Sequence, residues 1–170
     1  MPDFFSALWM ILPAYFANSS ATLARGKTRI DFSKNFPDGR PIFGGGKTFE
    51  GFFLGVFAGT AAGFLQNSAQ NLYGLQVSAA INPLSAGIIA FGALIGDLAG
   101  SFIKRRLGLK RGAPVPVLDQ LDFVAGAIFF ASLIYNIEID TIMLLLIITP
   151  IIHLTANVIG YKIGVKKEPW

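Results

Sequence analysis

Apolar residues fall in five long runs separated by short polar segments: Phe4–Ala24, Gly51–Tyr73, Leu84–Ile103, Leu121–Ile137 and Thr141–Tyr161. The second run turns polar past Leu65, and the fourth is the shortest. Each approaches the ~20 residues a helix needs to cross the hydrocarbon of a bilayer. The pattern predicts an all-α integral membrane protein with five transmembrane helices. These form a single transmembrane domain over residues 1–170, with no room for a separate soluble one. The first run has no basic residue before it and is longer than the core of a signal peptide, so it reads as a retained span.

The segments between the runs divide by charge. Arg25, Lys27, Arg29, Lys34, Arg40 and Lys47 lie between the first two runs. Lys104, Arg105, Arg106, Lys110 and Arg111 follow the third, and Lys162, Lys166 and Lys167 close the chain. These three segments hold all 14 Lys and Arg residues. Five spans put all three on one side, and the positive-inside rule makes that side the cytoplasm. The expected protein is therefore multi-pass in the cell membrane. Its N-terminus lies outside, its C-terminus is cytoplasmic, and a charged cavity opens on the cytoplasmic side. The opposite segments, Gln66–Pro83 and Asn136–Asp140, carry no cation. No internal repeat of the kind many transporters show is visible.

Composition supports this reading. The chain is 53% hydrophobic and 14% charged, against about 25% charged in soluble domains. Cysteine is absent, which excludes disulfides, thiol catalysis and Cys-based zinc sites. A single histidine excludes His-rich metal centres. The basic pI near 9.5 reflects topology and phosphate chemistry rather than nucleic acid, because the cations are confined to three segments.

Three carboxylates stand out against this background. Asp97 lies inside the third run, seven residues before Lys104, so ~10 Å deep along a helix. A carboxylate at that depth is costly unless it faces protein, water or a metal. Asp119 and Asp122 are three apart at the mouth of the fourth run, on one helical face. Carboxylates converging beside Lys104, Arg105 and Arg106 suit Mg²⁺ bound together with a polyphosphate. Asp97, Ser101, Lys104 and Arg105 share one helical stripe. The plainer alternative is an ion pair between Asp97 and a nearby cation, with the basic run anchoring the third span to lipid headgroups.

Gly44-Gly45-Gly46-Lys47-Thr48-Phe49-Glu50-Gly51 resembles a phosphate loop but is not a P-loop, since Pro41 stands where that motif needs glycine. Its glycines still permit close backbone approach to an anion, and a helix starting near Thr48 presents its positive end. Alternatively, the segment is a hinge with Thr48 as N-cap and Glu50 in the first turn. His153 and Asn157 form a polar pair in the fifth run, as do Asn18 and Thr22 in the first. Such pairs are interhelical glue or pocket lining.

The two motifs G-G-G-K-T-x-E-G and G-D-L-x-x-S-F-I-K-R-R-x-G-x-x-x-G-x-P-x-P-x-L-D-Q-x-D-F together resemble the archaeal CDP-archaeol synthase family, across nearly the whole chain. The family is related to the CDP-diacylglycerol synthases. The resemblance implies a Mg²⁺-dependent cytidylyltransferase. An ether-lipid phosphate, 2,3-bis-O-geranylgeranylglycerol 1-phosphate, attacks the α-phosphate of CTP and pyrophosphate leaves. It further implies Asp97 and Asp119 as metal ligands, with Asp122 as a third ligand or an acid just behind them, and Lys47 with the Lys104–Arg106 run as phosphate clamps. Gly45, Gly46 and Gly112 would allow close approach to substrate. Thr48, Glu50, Ser101, Pro114, Asn18, His153 and Asn157 complete the candidate lining. The implied partners are CTP, the lipid phosphate and the bilayer.

Two other classes compete. A CDP-alcohol phosphotransferase needs a D-G-x-x-A-R signature, which is missing. A small transporter or channel with Asp97 as its ion site should be polar at both ends, whereas the exterior half here is nearly chargeless. The sequence leaves open the oligomeric state, and whether Arg25–Gly46 is a mobile lid.

Overall fold

Five helices carry the chain in a computed structural model that describes residues 3–164 apart from Gly112, Pro114 and Pro116. They are α1 (Phe4–Leu23), α2 (Phe49–Tyr73), α3 (Pro83–Arg106), α4 (Leu118–Ser132) and α5 (Ile139–Lys162). The boundaries follow local chemistry. Thr48 caps α2 by accepting from Gly51 N–H, and Gly74 ends it in the left-handed conformation. Asn82 and Ser85 form a reciprocal capping box ahead of α3, with Pro83 in its first turn.

The fourth helix departs from expectation. It begins three residues early and ends at Ser132, five short of Ile137. The Leu133, Ile134 and Tyr135 N–H groups close a terminal turn, and the Tyr135 hydroxyl donates to Ala80 O at 2.7 Å. Its 15 residues span about 22 Å, less than the ~30 Å hydrocarbon core. Among the described residues α2, α3 and α5 are long and apolar enough to cross a membrane. Helix α1 has 20 residues, with Pro13 inside it.

Helix α3 is central and packs against α1, α2 and α4, while α5 rests on α4 and α1. The central contacts are made by small residues. A Cβ at Gly55 would lie 2.7 Å from Ala17 O, and one at Gly59 2.7 Å from Pro13 O, so α2 lies directly on α1. A Cβ at Gly92 would lie 2.8 Å from Gly126 O, and one at Gly96 3.0 Å from Gly126 Cα. Glycines four apart let α3 and α4 meet backbone to backbone. The apolar core lies beside this seam and includes Ile11, Ile89, Phe123, Val124 and Leu145.

At one end of the bundle the α1–α2 connection meets the C-terminus of α3. At the other, Trp9 Nε1–H donates to Gln70 Oε1 at 3.0 Å, and Gln70 also bonds the Ile81 backbone. The α1–α2 connection is folded. It carries backbone bridges Arg29–Thr48 and Asn35–Pro41, and Asp31 is only 5% exposed.

Candidate active site

Asp31 organises the loop that carries the glycines. Its carboxylate accepts from Ser33 N–H at 3.0 Å, Phe43 N–H at 3.1 Å and Gly44 N–H at 2.9 Å. Burial opposes ionisation of Asp31. The Gly44, Phe43 and Ser33 N–H groups and the Arg29 charge outweigh it and hold the carboxyl below its ordinary range. Gly44 turns the chain at φ +88°, a conformation that favours glycine. Lys47 is thereby delivered to the N-terminus of α2, where its ammonium pairs with Asp97 on α3. The Lys47 and Asp97 side chains are 25% and 19% exposed, so the pair is partly dehydrated yet reachable.

A second pair lies alongside. Lys104 near the end of α3 donates to Asp119 at 2.5 Å, and Asp119 also accepts from Val115 N–H at 2.9 Å. Asp119 is therefore tied to the loop that precedes α4. Asp122 sits one turn further along, directly against Gly100. A Cβ at position 100 would lie 2.6 Å from Asp122 Cβ and 2.8 Å from its Cγ. Asp97 and Asp122 are within electrostatic reach of each other and of Lys104 and Lys47.

Among the described residues no three carboxylates form a ready-made metal cage. Lysines neutralise two of the acids instead. The donors nevertheless fit Mg²⁺, a hard cation usually held by one or two carboxylates plus substrate phosphate oxygens. Asp97 on α3 lies within electrostatic reach of Asp122 on α4, with Asp119 one turn before Asp122.

Two openings flank the glycine segment. One, of about 380 Å³, is lined by Gly46, Lys47, Thr48, Phe52, Leu94 and Asp97. The other, of about 710 Å³, is lined by Gly44, Gly45, Arg40, Arg105, Lys110 and Arg111 and, among the described residues, by no carboxylate. Four cations around glycine backbone form a site for a multiply charged anion.

Several of the candidate side chains have contacts of their own. Arg106, expected as a phosphate clamp, fastens the loop. It donates to Asp38 at 2.7 Å and to the carbonyls of Arg40 and Pro41, and lies 4.7 Å and 4.8 Å from the Phe36 and Phe102 rings. Arg105, its neighbour, lies in the open basic site against Gly44. Glu50, expected near substrate, accepts from the N–H groups of Lys27 and Thr28 and the Thr28 hydroxyl, closing the base of the loop. Ser101 is buried. The ion partner of Asp97 is Lys47, not the basic run on its own helix.

The His153 and Asn157 side chains bond at 3.3 Å, and the His153 ring packs on Phe123. That pair belongs to the α4–α5 contact. Thr22 lines the Lys47–Asp97 cavity, and Asn18 is not among its lining residues. Gly112 and Pro114 lie outside the described residues. Sequence reasoning passed over Asp31, Arg40 and Arg111. A visible signal was two acids, Asp31 and Asp38, inside an otherwise basic loop.

Comparison with known proteins places the chain in a family. A family model described as CarS-like, CDP-archaeol synthase, matches residues 3–170. A CDP-archaeol synthase of Pyrococcus abyssi is 46% identical over 170 residues, covering 100% of both chains. One from Methanocaldococcus jannaschii is 41% identical over 174 residues, covering 98% of this chain and 97% of its own. A solved structure, described as giving structural insight into an intramembrane enzyme for archaeal membrane lipids biosynthesis, superposes with a TM-score of 0.81. It is 39% identical and covers 92% of this chain and 95% of its own.

Proposed function

The chain belongs to the CDP-archaeol synthase family, a family of CTP-dependent cytidylyltransferases, and from that premise we propose how its residues divide the reaction. The lipid phosphate is 2,3-bis-O-geranylgeranylglycerol 1-phosphate. One of its oxygens forms a bond to the α-phosphorus of CTP. The bond to the β-phosphate bridging oxygen breaks, releasing pyrophosphate and leaving CDP-archaeol. A phosphate dianion is already a nucleophile near neutral pH, so no protein base is needed. Such chemistry rests on positioning and charge neutralisation.

The observation that carries this reading is the glycine segment with unlike openings on its two sides. The opening with Arg40, Arg105, Lys110 and Arg111 suits the triphosphate of CTP. The opening with Lys47 and Asp97 suits the reacting phosphates. Lys47 leaves its partner Asp97 for phosphate oxygen, and Lys104 does the same from Asp119. Asp97 and Asp122, with Asp119 beside them, would hold Mg²⁺, which supplies charge neutralisation on the phosphate oxygens. The Lys47–Asp97 pairing favours a charged reaction chamber over an ion conduit with Asp97 as a free ion site.

The bundle is read as five spans in the cell membrane, with the N-terminus outside and the charged end in the cytoplasm, where CTP is found. The distribution of the 14 cations supports it.

Purified protein with labelled CTP, the lipid phosphate and Mg²⁺ should form labelled CDP-lipid, and chelation should stop it. Asp97→Asn and Asp119→Asn should each remove nearly all turnover from a protein that still melts cooperatively. Near-normal activity in both would sink the metal assignment. For orientation, a cysteine at Asn136 should react with an impermeant maleimide on sealed cells, and one at Ser33 should not. The reverse pattern would remove the CTP site from the cytoplasm.

A further inference from the structure

A turn in the α1–α2 connection carries a large aromatic residue where a small one would be easier. Phe32 and Ser33 have φ of +48° and +62°, a left-handed region that bulky side chains rarely adopt. The surroundings hold the turn in place. Phe32 N–H donates to Arg29 O at 3.1 Å and Lys34 N–H to Asp31 O at 2.8 Å, while the buried Asp31 carboxylate takes Ser33 N–H. None of these bonds uses the phenyl ring. A bulky side chain kept on a strained backbone has a reason outside the turn itself.

That reason is not the interior. The Phe32 ring meets the Phe49 ring at 5.5 Å, yet Phe32 is 65% exposed. Phe36 in the same connection differs, because Arg106 and Phe102 lie against its ring.

Phe32 instead continues the outer surface of α2. Phe49, Phe53 and Phe57 recur every four residues along one helical face, and Phe53 and Phe57 are exposed. The apolar part of α2, from Phe49 to Leu65, is about 25 Å long, short of the ~30 Å hydrocarbon core. By stacking on Phe49, Phe32 carries the apolar surface past the start of the helix. Exposed Arg29 and Lys34 flank the turn, and Asp31 is turned inward. An aromatic ring between cations, with the acid hidden, suits the boundary between acyl chains and anionic headgroups.

We propose that Phe32 is a membrane-interface anchor, its ring seated in the boundary layer of the surrounding bilayer, where it sets the height of the glycine segment. Asp31 makes the connection, since its carboxylate holds the Ser33 and Gly44 N–H groups together. A ring fixed at the bilayer surface therefore fixes Gly44 to Lys47 at the level of lipid phosphates. The anchor requires a membrane-spanning bundle and is independent of the reaction at its charged end.

Unmodified protein provides the first test. It is placed in vesicles containing a phosphatidylcholine with a diazirine close to the glycerol. Irradiation should attach lipid to the tryptic peptide 30–34, and fragmentation should place the adduct on Phe32. Phe36, in the following peptide, should stay bare. An unlabelled Phe32 overturns the proposal, and that is the result if a second copy of the chain covers the ring. Equal labelling of Phe32 and Phe36 also overturns it.

The second test reads height. The chain has no cysteine, so a nitroxide on Lys34→Cys reports the loop alone, through its collisions with oxygen against those with a water-soluble nickel chelate. Phe32→Asn removes the ring but accepts the left-handed turn. It should shift the nitroxide toward the chelate, and Phe32→Trp should restore the wild-type ratio. A ratio that Phe32→Asn leaves unchanged, or that Phe32→Trp fails to restore, refutes the anchor.

Discussion

Replacing Gly100 with alanine should separate activity from stability. The new Cβ would lie 2.6 Å from Asp122 Cβ, where ordinary contact begins at 3.4 Å. Rotating Asp122 about χ1 moves its carboxylate but not its Cβ, so α3 and α4 must part by nearly 1 Å. Overpacking of this kind costs about 1–3 kcal/mol, and the better helix propensity of alanine returns about 1 kcal/mol. The net loss of stability is then about 0–2 kcal/mol. Activity should suffer more, because a ~1 Å misplacement of a catalytic group costs on the order of 100-fold. Labelled CDP-lipid formation gives the activity, and thermal melting in the same detergent gives the stability. A Gly100→Ala enzyme within about twofold of wild type would refute the claim that Asp122 must sit where this seam puts it.

Three further outcomes are expected. Lys47→Ala should cost about 10- to 150-fold in kcat/KM, the worth of a charge-assisted phosphate contact of about 1.5–3 kcal/mol; an effect under about twofold would leave the glycine segment a mere connector. Arg105→Ala should raise KM for CTP without lowering the melting temperature. Arg106→Ala should make the loop protease-sensitive at a cost of about 2 kcal/mol, and Lys at 106 should not rescue it; identical profiles would refute the division of roles. Asp31 has its folded pKa below the unfolded value, so its contribution is present above the unfolded pKa of about 3.9 and is lost as pH falls toward the folded one. Wild type should therefore melt above Asp31→Asn at neutral pH, with the gap closing in acid; a gap unchanged with pH would contradict this.

The helices were legible because their signals are local. Thr48 and Asn82 announce their caps, and hydrophobic length marks α2, α3 and α5. Asp97 was legible because an acid in a long apolar run is rare. Its partner was not, since Lys47 lies 50 residues away and five nearer cations competed for the assignment. The role of Arg106 was hidden for the same reason. Adjacent arginines look alike until α3 ends and points one of them at Phe36. The early end of α4 was unreadable because Leu133 and Ile134 are apolar, and the stop comes from a turn and from Tyr135 reaching Ala80. Gly92, Gly96 and Gly100 are spaced four apart in plain view, but their meaning depends on Asp122 and Gly126 lying opposite.

The folded α1–α2 connection bears on how nucleotide binding should look in a calorimeter. Asp31, Glu50 and Arg106 hold that segment in place through the protein's own contacts. A segment that ordered only on binding would bury new surface, with a large negative heat-capacity change and an opposing entropy. Here the frame around Gly44 to Lys47 already stands, so association with CTP should carry a small heat-capacity change. Its rate should fall with rising salt, as charge attraction guides the encounter.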